Sequence, residues 1–80
     1  MCWAVEVGTI VAKAVREAGG LPKIACIVAG KCAAKMADLL GMPLDATVAT
    51  AALATRNAGG SSSNVAEVVG DVAAMLGIVA

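Results

Sequence analysis

The sequence predicts an all-α protein: four short helices, or two helical hairpins, packed tightly through small residues and stabilised by self-assembly or lipid. Three observations carry that reading. Apolar residues recur at helical spacing in four segments, and each segment is bounded by Gly, Pro or a capping residue. No alternating apolar–polar run is flanked by hairpin turn residues, so strand is not expected. The apolar residues are mainly Ala, Val, Ile and Leu with nine Gly, one Trp and neither Phe nor Tyr, a palette that lets helix backbones approach closely. Residues 1–80 make one small domain.

The first helix is expected over 2–18. Glu6, Thr9, Lys13, Arg16 and Glu17 form a polar stripe, with Trp3, Val7, Ile10 and Ala14 opposite. Gly19-Gly20 stop it, because a left-handed residue after the last turn favours glycine. Trp3 is expected to pack against a neighbouring helix or another copy. The second helix spans 22–40: Pro22 suits a first turn, where its missing N–H leaves nothing unpaired, and Gly41 closes it. Lys31, Lys35 and Asp38 share one face, with Ile24, Val28, Ala33, Met36 and Leu40 supplying apolar surface. The third, 44–57, follows Pro43 and is the least amphipathic. Its Thr47, Thr50 and Thr55 can turn their hydroxyls back onto the helix backbone, which makes them tolerable in apolar surroundings.

The fourth helix is expected over 64–79. Asn64 can cap it, with Glu67 reaching back to complete a capping box. Val65, Val69, Val72, Leu76 and Val79 recur at four-three-four-three spacing, the pattern of a seam laid on another helix. Glu67 and Asp71 occupy the opposite, thin polar side. Two lysines one turn apart, Lys31 and Lys35, complement these two carboxylates, within one chain or between copies.

Hydrophobic residues make up 60% and charged residues 15%, against about 45–50% and 25% in ordinary soluble domains. A small protein has proportionally more surface and needs more polar residues, so the surplus apolar surface requires a cover of lipid, a partner or further copies. Net charge is zero, which gives no global field for nucleic acid. Up to Leu40, five cations (Lys13, Arg16, Lys23, Lys31, Lys35) face three anions (Glu6, Glu17, Asp38). From Gly41 on, Arg56 faces Asp45, Glu67 and Asp71. The halves are therefore +2 and −2, a polarity suited to head-to-tail stacking.

Chemistry has few candidates. There is no His, so general acid–base work lacks its usual agent, and the cysteines lack a base. Cys2, Cys26 and Cys32 are an odd number. Cys26 and Cys32 sit on different faces of one helix, leaving Cys2 as the only partner for a disulfide with either. Gly59-Gly60 and the serines after it have neither a preceding strand nor a following Lys, so they read as a linker and not a phosphate loop. An enzyme, a metal site and a cofactor are not expected; bound lipid is compatible with the composition. MCWAVEV carries an acid where a secretory signal has its basic region. No 18-residue window is free of charge, as a conventional membrane span requires. The longest uncharged runs, 46–55 and 57–66, are ten residues each.

In size, near-continuous helix, small-residue packing and scarcity of charge the chain resembles the small pilins of conjugation and type IV secretion pili, including archaeal DNA-transfer pili. That resemblance implies a helical tube, often with bound lipid, in which a short basic region faces the lumen. Lys31 and Lys35 are the nearest match to that region, with nucleic acid as cargo. It departs from those pilins in having four segments instead of two long ones. A shorter stretch, Val11 to Gly30, is similar in rhythm to circular bacteriocins, where an amphipathic helix ends at Glu-Ala-Gly-Gly and an apolar helix follows. This would imply a membrane-active peptide, although those peptides are cationic and this chain is neutral. A third class is a helical dimerisation module that uses the 65–79 seam. The expectation is a structural subunit that assembles with its own copies into a membrane-derived or extracellular filament. Val65, Val69, Val72, Leu76, Val79, Trp3, Val7 and Ile10 are the candidate interface.

Overall fold

A computed structural model describes residues 3–77 and gives an all-α protein: α1 (Trp3–Glu17), α2 (Pro22–Leu39), α3 (Leu44–Asn57) and α4 (Ser62–Met75). The expected start at Cys2 lies outside the described residues, and the expected end at Val79 is corrected: α4 stops at Met75, where Gly77 at φ +77° closes it with its N–H on Ala74 O at 3.2 Å. Three glycine turns join the helices, and each closes the helix before it in the same way. After α1, Gly19 adopts φ +89°, its N–H donates to Arg16 O at 3.0 Å, and the Gly20 N–H donates to Val15 O at 2.9 Å. After α3 the same pair recurs, with Gly59 donating to Arg56 O and Gly60 to Thr55 O, both at 2.9 Å. These bonds satisfy carbonyls that a helix end leaves without partners.

The cap of α4 differs from the expected one. Ser61, not Asn64, is the N-cap: its hydroxyl accepts from Asn64 N–H at 3.2 Å, and Asn64 Oδ1 accepts from Ser61 N–H at 3.1 Å. Glu67 lies a turn further on and takes no part. Both pairs satisfy the capping pattern. Ser61 prevails because the turn at Gly59-Gly60 already returns the chain towards α2, so the helix can begin at once. Replacing Ser61 with Ala is expected to cost about 1 kcal/mol, read as a lowered thermal midpoint by circular dichroism. No change in midpoint would mean that the cap contributes nothing.

The core is built of alanine. Ala4, Ala12, Ala25, Ala29, Ala33, Ala34, Ala37, Ala51 and Ala54 are all buried, and the largest buried apolar side chains are only Val5, Val68 and Val72. Thr47, Thr50 and Thr55 are also buried; their hydroxyls donate to Pro43 O, Ala46 O and Ala51 O at 2.8–3.0 Å. Self-satisfied hydroxyls of this kind leave no unpaired group in the interior.

The inward line of α4 is Val68 and Val72, with Leu76 packed beside them, so the expected seam through Val69 is corrected: Val69 is only half-buried. A four-three seam serves a single partner helix. Here α4 lies across both α2 and α3, and the face it turns to Ala34 on α2 and Ala51 on α3 carries Val68 and Val72, one turn apart. Gly30 on α2 opens the notch into which Val68 fits.

The contacts have a definite order. α1 packs on α2 and α3, α2 on all the others, and α4 on α2 and α3; among the described residues α1 and α4 do not touch. A two-fold relation between the hairpins would pair α1 with α4 just as α2 pairs with α3. A stacking step does not require that pair. It places α3 beside α1 and α4 beside α2, as in helical repeat proteins.

The sequence carries the same relation at an offset of forty residues. Ala12, Ala14, Arg16, Ala18, Gly19, Gly20, Val28, Gly30, Ala33 and Ala34 recur as Ala52, Ala54, Arg56, Ala58, Gly59, Gly60, Val68, Gly70, Ala73 and Ala74. Ten identities in forty positions and the order of helix contacts relate the second hairpin to the first, although α1 and α2 pack on each other more closely than α3 and α4 do.

Candidate assembly surfaces

The large apolar side chains lie outside. Ile10, Leu21, Leu39 and Leu40 are exposed to 57–73%, and Ile24, Leu44, Leu53 and Met75 to 49–59%. Trp3 is 56% exposed, so the expected packing against a neighbouring helix of its own chain does not occur. Helix geometry places these residues there, because the inward positions lie so close to neighbouring backbone that they hold only Ala, Gly, Cys, Thr or Val. On α1, Gly8 shows how close: a Cβ there would meet Ala29 O at 2.9 Å and the Ala54 methyl at 3.1 Å.

The expected interface residues divide among different environments. Val72 is fully buried in the chain's own core, where it can meet no other copy in this fold. Val65, Val69 and Leu76 are half-buried, and Ile10 is exposed. Val79 lies outside the described residues. Val7 is half-buried and lines an apolar groove of about 400 Å³ between α1 and α2, together with Val11, Val28 and Cys32. Lys31, Lys35 and Leu39 form its edge with Met75 from α4.

Lys31 Nζ lies 3.3 Å from Asp71 Oδ2, an ion pair between α2 and α4 whose side chains are both about half exposed. In that setting it contributes at most about 1 kcal/mol. Lys35 and Glu67 are exposed, and neither forms an ion pair among the described residues. Arg16 reaches from α1 to the end of α3, donating to Ala58 O at 3.4 Å. The cysteines divide likewise: Cys26 is buried with its thiol 3.7 Å from Asn64 Oδ1, and Cys32 is half-buried at the groove. Cys2 is outside the described residues.

Among the described residues no cluster of His, Cys, Asp or Glu could hold a metal ion, and no helix is long and apolar enough to cross a membrane. The described surface carries exposed apolar helix faces, with an ion pair between α2 and α4. Comparison with family models, with curated proteins and with solved structures gives no match.

Proposed function

We propose that this chain is a structural subunit that polymerises with its own copies, through helix faces its fold leaves uncovered, into a filament. The observation behind this reading is the inverted placement of apolar residues. Alanine fills the interior, and the large aliphatics lie on the surface, the reverse of the usual preference for burying Ile, Leu and Met. A buried alanine methyl contributes only about 0.8 kcal/mol, so the core of the single chain is weak. Covering Ile10, Leu39, Leu40 and their neighbours in an assembly would supply what the core lacks. Helical repeat arrays need polar outer faces at both ends to remain soluble as single molecules, and here both hairpins expose large aliphatics beside their charges: Ile10, Leu21 and Leu39 on the first, Leu44, Leu53 and Met75 on the second. Lys31 is engaged with Asp71, which leaves Lys35 as the freer lysine to line a lumen if the filament encloses one and carries nucleic acid.

Sedimentation velocity over a hundredfold range of concentration, followed by electron microscopy, tests the proposal. The expected result is concentration-dependent growth into uniform filaments, accompanied by a blue shift in Trp3 emission as the exposed indole is covered. A species that stays monomeric throughout would overturn it. Dye release from anionic vesicles by that monomer would favour the membrane-active alternative.

A further inference from the structure

Because the two hairpins are related by the forty-residue repeat and a stacking order of contacts, the buried contact between them suggests a second contact that a single chain cannot make. On α2, Cys26, Gly30 and Ala34 form a ridge at i, i+4 and i+8, and all three are buried against α3 and α4. Their equivalents on α4, forty residues on, are Ala66, Gly70 and Ala74. These are as small as the α2 ridge, and all three are exposed; a Cβ on Gly70 would meet nothing within 4 Å. The receiving side shows the same imbalance. Thr47, Ala51 and Thr55 on α3 and Val68 and Val72 on α4 are buried around the α2 ridge, while their equivalents Val7, Val11, Val15, Val28 and Cys32 are only half-buried. Four of these five line the groove between α1 and α2.

We infer that a second copy of this chain docks head to tail, with the Ala66–Gly70–Ala74 ridge of one copy seated in the α1–α2 groove of the next, in the register the hairpins use within the chain. This deepens the self-assembly reading and rests on it. The register sets each contact. Within the chain, Gly30 lies so close to Val68 Cγ1 that a Cβ would be 2.7 Å away; between copies, Gly70 meets Val28. Ala34 shares a core cluster with Val72; between copies, Ala74 meets Cys32. The Arg16 bond to Ala58 O becomes a bond from Arg56 to Ala18 O, made by the same residue types.

Charge agrees with this register. Lys31 and Asp71 are equivalent positions that already pair at 3.3 Å. In the stack, each Asp71 lies between the Lys31 of its own copy and that of the next, so the charges alternate in sign along the assembly. The +2 and −2 halves of the chain meet at every junction. A contact between different surfaces on the two partners can repeat without limit, giving a filament, or a ring if the step closes.

Two substitutions test the inference. Ala74→Cys, in a Cys2→Ser background under mild oxidation, is expected to give a ladder of covalent dimers, trimers and higher species on non-reducing electrophoresis. Adding Cys32→Ser should remove the ladder. Gly70→Val places a branched side chain on an open face, so the monomer is expected to fold with an unchanged or raised thermal midpoint. The same side chain would strike Val28 of the next copy, and the concentration needed for assembly should rise at least tenfold. If wild type and Gly70→Val assemble equally and no ladder forms, self-assembly stands and this interface is wrong. A monomer carrying an intrachain bond, or a ladder that survives Cys32→Ser, also overturns the register. If wild type never assembles, the underlying functional reading fails with it.

Discussion

Gly30→Val is expected to unfold the protein, whereas the same change at the equivalent Gly70 leaves the single chain folded. At position 30 a Cβ would overlap Thr55 Oγ1, lie 2.7 Å from Val68 Cγ1 and 3.1 Å from Ala51 O. Thr55 cannot easily turn away, because its hydroxyl is bonded to Ala51 O at 2.8 Å in a buried site. The carbonyl belongs to the helix backbone and cannot move alone. α2 must therefore separate from α3 and α4, the contact that joins the two hairpins. Overpacking costs about 1–3 kcal/mol even where neighbours can yield, and a domain of this size has only about 3–5 kcal/mol in all. Circular dichroism on heating checks it: loss of the cooperative transition is expected, and a normal transition for Gly30→Val would mean that the hairpins do not pack as described.

The second large effect is expected at Val68. Val68→Ala removes two methyl groups from a fully buried site that packs against Ala34, Ala51 and Val72. The lost burial and the cavity together cost about 2 kcal/mol, which lowers the midpoint by about 10 °C in a chain this short. The surrounding alanines are too small to fill the space, so the site collapses poorly. Val69→Ala, at the neighbouring half-buried position, is expected to cost under 1 kcal/mol and favour the helix slightly through propensity. Denaturant titration of the two variants separates them. A larger loss at Val69 would restore the four-three seam as the inner face.

The functional surfaces were partly legible in the residues. Surplus apolar composition implied uncovered faces, and the complementarity of Lys31 with Asp71 could be read from turn spacing on two helices. The forty-residue repeat was also present. It was obscured because alanine and glycine recur so often that identities among them carry little weight; the shared Arg-x-Ala-Gly-Gly, with Val28/Val68 and Gly30/Gly70 after it, is the signal that would have revealed it. What the sequence concealed was which faces are spent inside the chain. Val72 is one of those, and no local pattern distinguishes it from a valine left for a partner.

By itself the sequence determined the four helices and the ends of the first three. Gly19, Gly41 and Gly59 end them because only glycine adopts a left-handed turn without strain, and Pro22 and Pro43 precede or open the next because their fixed φ suits a first turn. Those are local effects, settled within a few residues. Tertiary structure alone decided that Ser61 and not Asn64 caps α4, that Val68 and not Val69 faces inward, and that Trp3 stands out from its own chain. Each of these depends on how the helices lie on one another: α4 on α2 and α3 in the first two cases, α1 on α2 and α3 in the third. In an alanine core that position is set by how closely backbones approach at Gly8 and Gly30, since side chains this small give helix periodicity no large residue with which to mark the buried face.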